Sequence, residues 1–179
     1  MLNIVYFTRP EFFAHEAEQI AAHFEKGLQI LHLRKPDASA AECENLLRQI
    51  PEVFHERITL HDHFELTDRF AVGGVHLNRR NAMYNGARRL RISKSCHSID
   101  ELRNISEFDY VTLSPIFNSI SKAGYNSAFS HEELLQYSKA GLINEKVYAL
   151  GGVNFENMEE ELSYVCDSYN GLRRHLCKL

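Results

Sequence analysis

The chain has 179 residues, 44% of them hydrophobic and 25% charged, with a formal net charge of −4 at pH 7. This length suits one domain with a sizeable core, and the acidic balance offers no basic footprint for nucleic acid or for an anionic membrane. The chain shows neither a signal-peptide pattern nor an apolar run near the ~20 residues of a membrane span, so we expect a cytoplasmic protein. Its four cysteines have no CxxC spacing and are expected to be reduced thiols.

Short apolar runs predict the β-strands, and most of these runs end in a polar, charged or glycine cluster. In chain order the runs are 4–7, 30–33, 58–60, 74–77, 90–92, 110–113 and 147–150. Helix starts are predicted where a Ser or Thr is followed three residues later by Glu, because this pair can satisfy two backbone donors reciprocally. That spacing occurs at Thr8/Glu11, Ser39/Glu42, Ser98/Glu101 and Ser130/Glu133.

Strands that alternate with helices indicate βα units around a parallel sheet. The expected fold is therefore α/β, a TIM-type βα barrel formed by one domain over residues 1–179. The eighth unit is expected to be abbreviated or degenerate, with an incomplete or irregular stretch at about 163–179, and 172–175 is interpreted as helix or disorder. In such barrels the carboxyl ends of the strands carry the chemistry.

The second predicted strand ends in candidate anion ligands. His32 and Arg34 share one face because strand side chains alternate, and Lys35 follows in the loop. Arginine offers a planar fork that suits phosphate, and lysine adds a second positive charge. The alternative is an arginine that pairs with a neighbouring carboxylate.

The third strand is followed by His61, Asp62 and His63. A carboxylate at this position could hold Mg²⁺ together with substrate phosphates. The histidines, with His32 and His76 on adjacent strands, could instead form a transition-metal site. No HExxH or similar spacing supports that second interpretation, so hydrogen-bonded histidines at the rim are favoured over metal ligands.

Two later loops are candidates for phosphate binding. Ser119, Ser121 and Lys122 follow the sixth strand in a loop that could close over a ligand, although an ordinary exposed loop is the alternative. Gly151 and Gly152 follow the seventh strand, where glycines let backbone N–H groups approach an anion. A tight turn without a ligand would also use them, but together with Arg34 the loops favour phosphate binding.

Several stretches, taken in order, resemble the thiamine phosphate synthase family and its relative, the thiazole tautomerase family. They are GVHL at 74–77, SCHS at 95–98, DYV at 109–111, SPIFNSISK at 114–122 and ALGGV at 149–153. The resemblance covers about the first 160 residues and depends on the shared order and spacing of these stretches. It implies a βα barrel that joins hydroxymethylpyrimidine diphosphate to thiazole phosphate and releases pyrophosphate with the help of Mg²⁺.

The resemblance also implies roles for individual residues. Arg34 and Lys122 match the family's pyrophosphate-binding cations and are the predicted catalytic residues, while Asp62 and Asn81 match its two Mg²⁺ carboxylate positions. The remaining positions are predicted to bind substrate: His32, Lys35, His61, Ser95, Ser119, Ser121, Gly151 and Gly152. Lys35 is included because Pro36 stands where the family has a lysine.

Some positions depart from the synthase pattern. His32 replaces a glutamine, His61 replaces an asparagine, Asn81 replaces a carboxylate, and the family's closing strand is not recognisable. Two other functions are therefore kept beside the synthase: a thiazole tautomerase, favoured by the His32-x-Arg34 pattern, and a non-catalytic binder of phosphate or thiazole. The expected partners are small phosphorylated substrates, without nucleic acid or membrane, and assembly into a homo-oligomer is left open.

Overall fold

The computed structural model describes residues 5–117, 128–151, 172–173 and 176–178. It divides into two compact units, which we present separately. The described elements of the first unit lie within residues 5–92, and those of the second lie within residues 93–177. The prediction of a single domain therefore stays a prediction. Among the described residues, no helix has the length and apolar character needed to cross a membrane.

Parallel strands alternate with helical segments in the first unit. The strands are β1 (Val5–Phe7), β2 (Ile30–Leu33), β3 (Ile58–Leu60) and β4 (Gly74–Leu77). The α-helices are α1 (Glu16–Glu25) and α2 (Ala40–Gln49), and 3₁₀ helices cover Glu52–Arg57 and Phe64–Asp68. Each strand pairs in parallel with the next, with Phe7 opposite His32, His32 opposite Thr59, and Thr59 opposite Gly74.

One face of this sheet packs against the two α-helices, and the other carries polar side chains. The hydrophobic core joins alternate strand residues to the helices, and its members include Ile20, Phe24, Leu31, Leu33, Leu46, Leu47, Ile58 and Leu60. Because strand side chains alternate in direction, the neighbours His32 and Thr59 belong to the opposite face. His61 and His76 continue that face, so the candidate site lies on the side away from the helices.

The second unit also contains parallel strands. Its elements are β5 (Arg91–Cys96, which begins at the end of the first unit), β6 (Tyr110–Leu113), α3 (His131–Lys139), β7 (Val147–Ala149), β8 (Leu172–Arg173) and a 3₁₀ helix at Asp100–Asn104. β6 pairs in parallel with β5 and β7, and β7 pairs in parallel with β8. A ninth strand, β9, covers Leu176–Lys178.

The structure corrects two boundaries predicted from the sequence. The strand predicted at 90–92 runs from Arg91 to Cys96, because the small residue Ser93 is fully buried opposite Tyr110 instead of ending the strand. The interpretation of 172–175 as helix or disorder is wrong at Leu172 and Arg173. These two residues form β8 by pairing with β7, which supplies hydrogen bonds that no local pattern reveals.

The predicted helix starts have mixed outcomes. Capping boxes form at Ser39/Glu42 and Ser130/Glu133, as predicted. The Thr8 prediction is wrong: its hydroxyl donates to the Arg34 carbonyl at 3.1 Å and accepts from the Arg34 amide at 2.9 Å, so it joins β1 to β2. Helix α1 begins later, at Glu16. Ser98 precedes a 3₁₀ helix instead of an α-helix.

Candidate active site

Arg34 follows β2 on the same face as His32 and is half-buried. Its backbone is held by Thr8, but within the part of the chain that the structure describes its guanidinium donates no hydrogen bond and forms no ion pair. Burial lowers the pKa of Arg34 from its usual value, with a further contribution from the positive charge of Arg80, while Asp62 opposes both. A half-buried guanidinium without a protein acceptor is a suitable ligand for an anion.

Asp62 lies beside Arg34 and is already hydrogen-bonded. Arg80 donates from Nε to Oδ1 and from Nη2 to Oδ2, both at 3.1 Å, which is a bidentate ion pair. Asn81 donates from Nδ2 to Asp62 Oδ1 at 2.7 Å and to the His61 carbonyl at 3.0 Å. Arg80 is not among the residues predicted from the sequence, although the consecutive arginines after β4, Arg79 and Arg80, could have indicated it.

These contacts do not fit the predicted Mg²⁺ site. Mg²⁺ is usually held by carboxylate oxygens and waters, with near-ideal octahedral geometry. Here Arg80 engages both oxygens of Asp62, and the Asn81 side chain turns its amide N–H, not its oxygen, towards that carboxylate. Both acceptors of Asn81 Nδ2 lack hydrogen, which fixes the orientation of the amide. The assignment of Asp62 and Asn81 to Mg²⁺ stays a prediction.

His32, His61 and His76 form a buried group on the same face of the sheet, which we call the histidine cluster. The three side chains are 0 to 3% exposed, and His32 Nδ1 lies 2.7 Å from His61 Nε2. The rings of His61 and His76 stack with centroids 4.3 Å apart, and Phe7 stacks on His32 at the same distance. Burial, reinforced by the other members of the cluster, holds the pKa values of His32 and His61 well below their usual range.

Two other histidines have structural partners. Nε2 of His63 lies 2.7 Å from the Ala38 carbonyl, and Nε2 of His55 lies 3.1 Å from the Leu47 carbonyl near the end of α2. His63, predicted beside Asp62, is thus a hydrogen-bonded rim histidine as the sequence analysis favoured. The histidine cluster differs from both because its rings contact one another.

Lys35 is withdrawn from the surface on which Arg34 lies. Its side chain is buried, and Nζ donates to Glu16 Oε1 and Oε2 at 2.7 and 2.8 Å and to the Glu11 carbonyl at 2.8 Å. Three acceptors use all the hydrogens of an ammonium group. In this arrangement Lys35 has no donor left for a phosphate, and its predicted substrate contact would require the ion pair to open.

The second unit holds the other predicted positions that the structure describes. Ser95 lies on β5 opposite Thr112. Gly151 follows β7 with φ of +90°, and a Cβ built there would lie 2.9 Å from Cα of Pro115. Its carbonyl accepts from the Phe117 amide at 3.0 Å, so the turn after β7 is hydrogen-bonded to the segment that follows β6. Ser119, Ser121, Lys122 and Gly152 lie outside the described residues.

Comparisons with known proteins agree on one family. The family model described as thiamine monophosphate synthase matches residues 4–169. A solved thiamine phosphate pyrophosphorylase from Bacteroides thetaiotaomicron is 38% identical, with a TM-score of 0.83 over 99% of this chain and 83% of that one. A thiamine phosphate pyrophosphorylase from Pyrococcus furiosus, 19% identical with a TM-score of 0.73 over 99% of this chain and 85% of its own, shows the same fold.

A thiamine-phosphate synthase from Listeria monocytogenes is 28% identical over 138 residues, or 72% of this chain. The chain spans 61% of the length of that relative, which is less than two thirds. The family resemblance and the βα-barrel fold class predicted from the sequence are both confirmed by these matches.

Proposed function

Because the chain belongs to the thiamine monophosphate synthase family, we propose that it couples hydroxymethylpyrimidine diphosphate to thiazole phosphate. In this reaction the bond between the pyrimidine methylene carbon and the diphosphate oxygen breaks, and the diphosphate leaves with the electron pair. A bond from the thiazole nitrogen to the same carbon forms. The protein has to position two substrates and stabilise the charge on the leaving group, and it needs no nucleophile of its own.

The observation that supports this proposal best is the state of Arg34. Its guanidinium is half-buried and has no acceptor among the described residues, so a diphosphate can take two parallel hydrogen bonds without breaking an existing ion pair. Removal from bulk water strengthens such bonds because the local dielectric constant is lower. We therefore assign the leaving diphosphate to Arg34.

Other residues extend this assignment. Arg80 is held by Asp62 and adds a second guanidinium beside Arg34. Lys122, with the hydroxyls of Ser119 and Ser121, is proposed to bind the same diphosphate, and the backbone at Gly151 and Gly152 is proposed to receive the thiazole phosphate. Small phosphorylated substrates are the partners that these assignments require, and we propose a cytoplasmic location because the family is biosynthetic.

A requirement for Mg²⁺ is a separate proposal that comes from the family resemblance. The ion pair of Asp62 with Arg80 and the N–H of Asn81 do not present the oxygen ligands that the ion prefers, so we derive no step through it. Turnover measured across a Mg²⁺ titration, with EDTA as the zero point, tests this proposal independently of the coupling reaction.

The test of the coupling reaction is a mass-spectrometric assay of the full chain with both substrates. We expect thiamine phosphate and pyrophosphate in equal amounts. Arg34→Ala should lower kcat/KM by roughly 10–150-fold, which corresponds to the ~1.5–3 kcal/mol of a charge-assisted hydrogen bond. Arg48→Ala is the matched control, because Arg48 is an exposed arginine that pairs with Glu44 on α2.

Two results would contradict the proposal. Absence of thiamine phosphate with folded protein would exclude the synthase activity and leave a tautomerase or a binding-only role. Equal losses in Arg34→Ala and Arg48→Ala would show that Arg34 has no specific part in binding diphosphate.

A further inference from the structure

The coupling reaction as derived above assigns no step to the histidine cluster, and the substrate contacts predicted for His32 and His61 stay predictions. β2, β4 and the residue after β3 bring three imidazoles together, and one nitrogen atom from each lies within 4.8 Å of the other two. We infer that the histidine cluster binds one divalent transition-metal ion, with Zn²⁺ as the best match. This inference goes beyond the proposed function and does not depend on it.

The distances are close to those of a three-histidine site. Zn–N bonds of about 2.0–2.1 Å place two nitrogen ligands of a tetrahedral ion about 3.3 Å apart. His32 Nδ1 and His61 Nε2 are 2.7 Å apart, and one nitrogen atom from each of the three rings lies within 4.8 Å of the other two. Small ring rotations bring the nitrogens into range. The contact at 2.7 Å is an N–H···N hydrogen bond, so one of the two rings must move its proton to its other nitrogen before both can coordinate.

Burial prepares the rings for this role. A metal binds the neutral form of imidazole, and burial of the His32 and His61 rings, which are 0 and 3% exposed, disfavours the protonated form. The ring of Phe7 packs on His32 with centroids 4.3 Å apart, which shields that side of the cluster from water. Nitrogen ligands suit Zn²⁺, Co²⁺, Ni²⁺ and Cu²⁺, whereas Mg²⁺ prefers oxygen. The site is therefore chemically different from the Mg²⁺ site predicted at Asp62.

The surrounding charges determine what completes the coordination. Arg34 and Arg80 act on His61, and Arg91 acts on His32, so positive charge surrounds the cluster and weakens its affinity for any cation. The same charges favour an anionic fourth ligand, such as hydroxide or a phosphate oxygen. A site with three protein ligands leaves that fourth position open.

A hydroxyl group on the same face has no hydrogen-bond partner among the described residues. Thr59 lies opposite His32 in the sheet register and is 1% exposed. Its Oγ1 is buried and has no hydrogen-bond partner within the described ranges. A buried hydroxyl without a partner is costly, and a metal-bound water or hydroxide would supply one.

The experiment uses the full chain, stripped with a chelator and then titrated with Co²⁺ and Zn²⁺ in the absence of substrates. We expect one equivalent of Co²⁺ to produce the intense visible absorption of a tetrahedral nitrogen site, and Zn²⁺ to displace it. His32→Gln and His61→Asn place the residues that the family resemblance assigns to these positions, so both variants should fold. Each should weaken binding by more than the ~10–100-fold typical of a lost outer-shell contact.

His15→Asn is the matched control. His15 is an exposed histidine with φ of 64°, a conformation that asparagine tolerates, and it lies outside the cluster. This variant should bind Co²⁺ as the unmodified chain does. Two outcomes would overturn the inference: no stoichiometric binding by folded protein, or binding that His32→Gln and His61→Asn leave unchanged. Because the readout needs no substrate, either outcome is distinguishable from failure of the coupling assay.

Discussion

Arg34 and Lys35 are adjacent in sequence but differ in their availability to a ligand. The Arg34 guanidinium has no acceptor among the described residues, whereas Lys35 Nζ has three at 2.7 to 2.8 Å. Both residues follow β2, and the Lys35 side chain is directed at the first residue of α1, Glu16, and at the Glu11 carbonyl, which take all its hydrogens. Adjacent positions in the sequence therefore do not predict equal availability to a ligand.

The buried ion pair gives a prediction about stability. Glu16→Gln removes one partner and should cost about 3–5 kcal/mol of unfolding free energy, because it leaves the Lys35 charge buried without compensation. Burial raises the pKa of Glu16 even though Lys35 opposes that shift, which indicates that the pair is expensive to desolvate. We therefore expect the double variant Glu16→Leu/Lys35→Met to recover most of the loss.

Urea unfolding followed by circular dichroism measures these free energies. The control is Asp100→Asn, which removes an ion pair with Arg103 at a side chain that is 88% exposed and should cost about 0–1 kcal/mol. A Glu16→Gln variant as stable as the Asp100→Asn variant would contradict the assigned role of the pair.

The sequence could predict Arg34 as a candidate because residue type and strand position suffice for that inference. It could not predict the partners of Asp62, since Arg80 reaches it from a different loop and the Asn81 amide must be oriented by two acceptors. It also could not establish the histidine cluster. No short sequence motif indicates this cluster, because each ring comes from a separate strand segment. Only the sheet register brings the three rings together.

At the scale of elements, the capping boxes were predictable because they are local. Ser39→Ala removes the hydroxyl that accepts from the Glu42 amide at 3.3 Å and should destabilise the protein by about 1 kcal/mol. The hydroxyl and the backbone amide of Ser39 hold the pKa of Glu42 below its usual value. This contribution is present above the unfolded-state pKa and is lost as the pH falls through the folded-state value.

The effect of Ser39→Ala should accordingly shrink in acid. Thermal unfolding at pH 7 and at a pH below the usual glutamate pKa measures the change in melting temperature for the unmodified chain and the variant. Ser39→Thr, which keeps a hydroxyl that can accept from the Glu42 amide and donate to its carboxylate, is the control and should stay close to the unmodified chain at pH 7. An Ala variant whose deficit is the same at both pH values would contradict the role given to Glu42.

The turn after β7 requires glycine for two separate reasons. Gly151 has φ of +90°, and an added Cβ would lie 2.9 Å from Cα of Pro115, which is a backbone atom and cannot move aside alone. Gly141 has φ of +75°, but no described residue lies within 4 Å of its Cβ position, so Gly141→Ala meets only the conformational cost of about 1–2 kcal/mol. Gly151→Ala should cost at least ~1 kcal/mol more, because overpacking adds to that strain.

The difference between the two glycine variants is measured by equilibrium unfolding in urea. If Gly151→Ala and Gly141→Ala were equally stable, the close approach to Pro115 would have no energetic consequence.

Thr8 shows how tertiary contacts can override a local sequence pattern. It has the local signature of a cap, but tertiary contacts with Arg34 take its hydroxyl, so a correct local pattern gives a wrong helix start.

At the scale of the whole molecule, the sequence predicts the parallel strand order well because consecutive βα units place each strand beside the previous one. It fails at the short strands near the end of the chain. Leu172 and Arg173 have no apolar run of their own, and their strand conformation depends on pairing with β7. The division into two compact units is likewise not predictable from the sequence. It depends on tertiary contacts, since no Pro/Gly/Ser-rich linker lies at the boundary between residues 92 and 93.

Two buried thiols can test whether the units unfold together, as the single-domain prediction requires. Cys43 lies in the first unit and Cys96 in the second, with exposures of 2% and 0%. Burial raises the pKa of both thiols to about 11, so at pH 8 few are in the reactive thiolate form even when a reagent reaches them. Labelling therefore requires unfolding of the unit that contains the cysteine.

In the double variant Cys166→Ser/Cys177→Ser only these two thiols remain, and mass spectrometry of peptides can follow each one across a urea series. We expect Cys43 and Cys96 to become labelled over the same range of urea, because a single cooperative domain exposes both at once. Complete labelling of both in concentrated urea is the control for reagent access. Labelling of one cysteine at clearly lower urea than the other would show that the two units unfold separately, and the single-domain prediction would then be wrong.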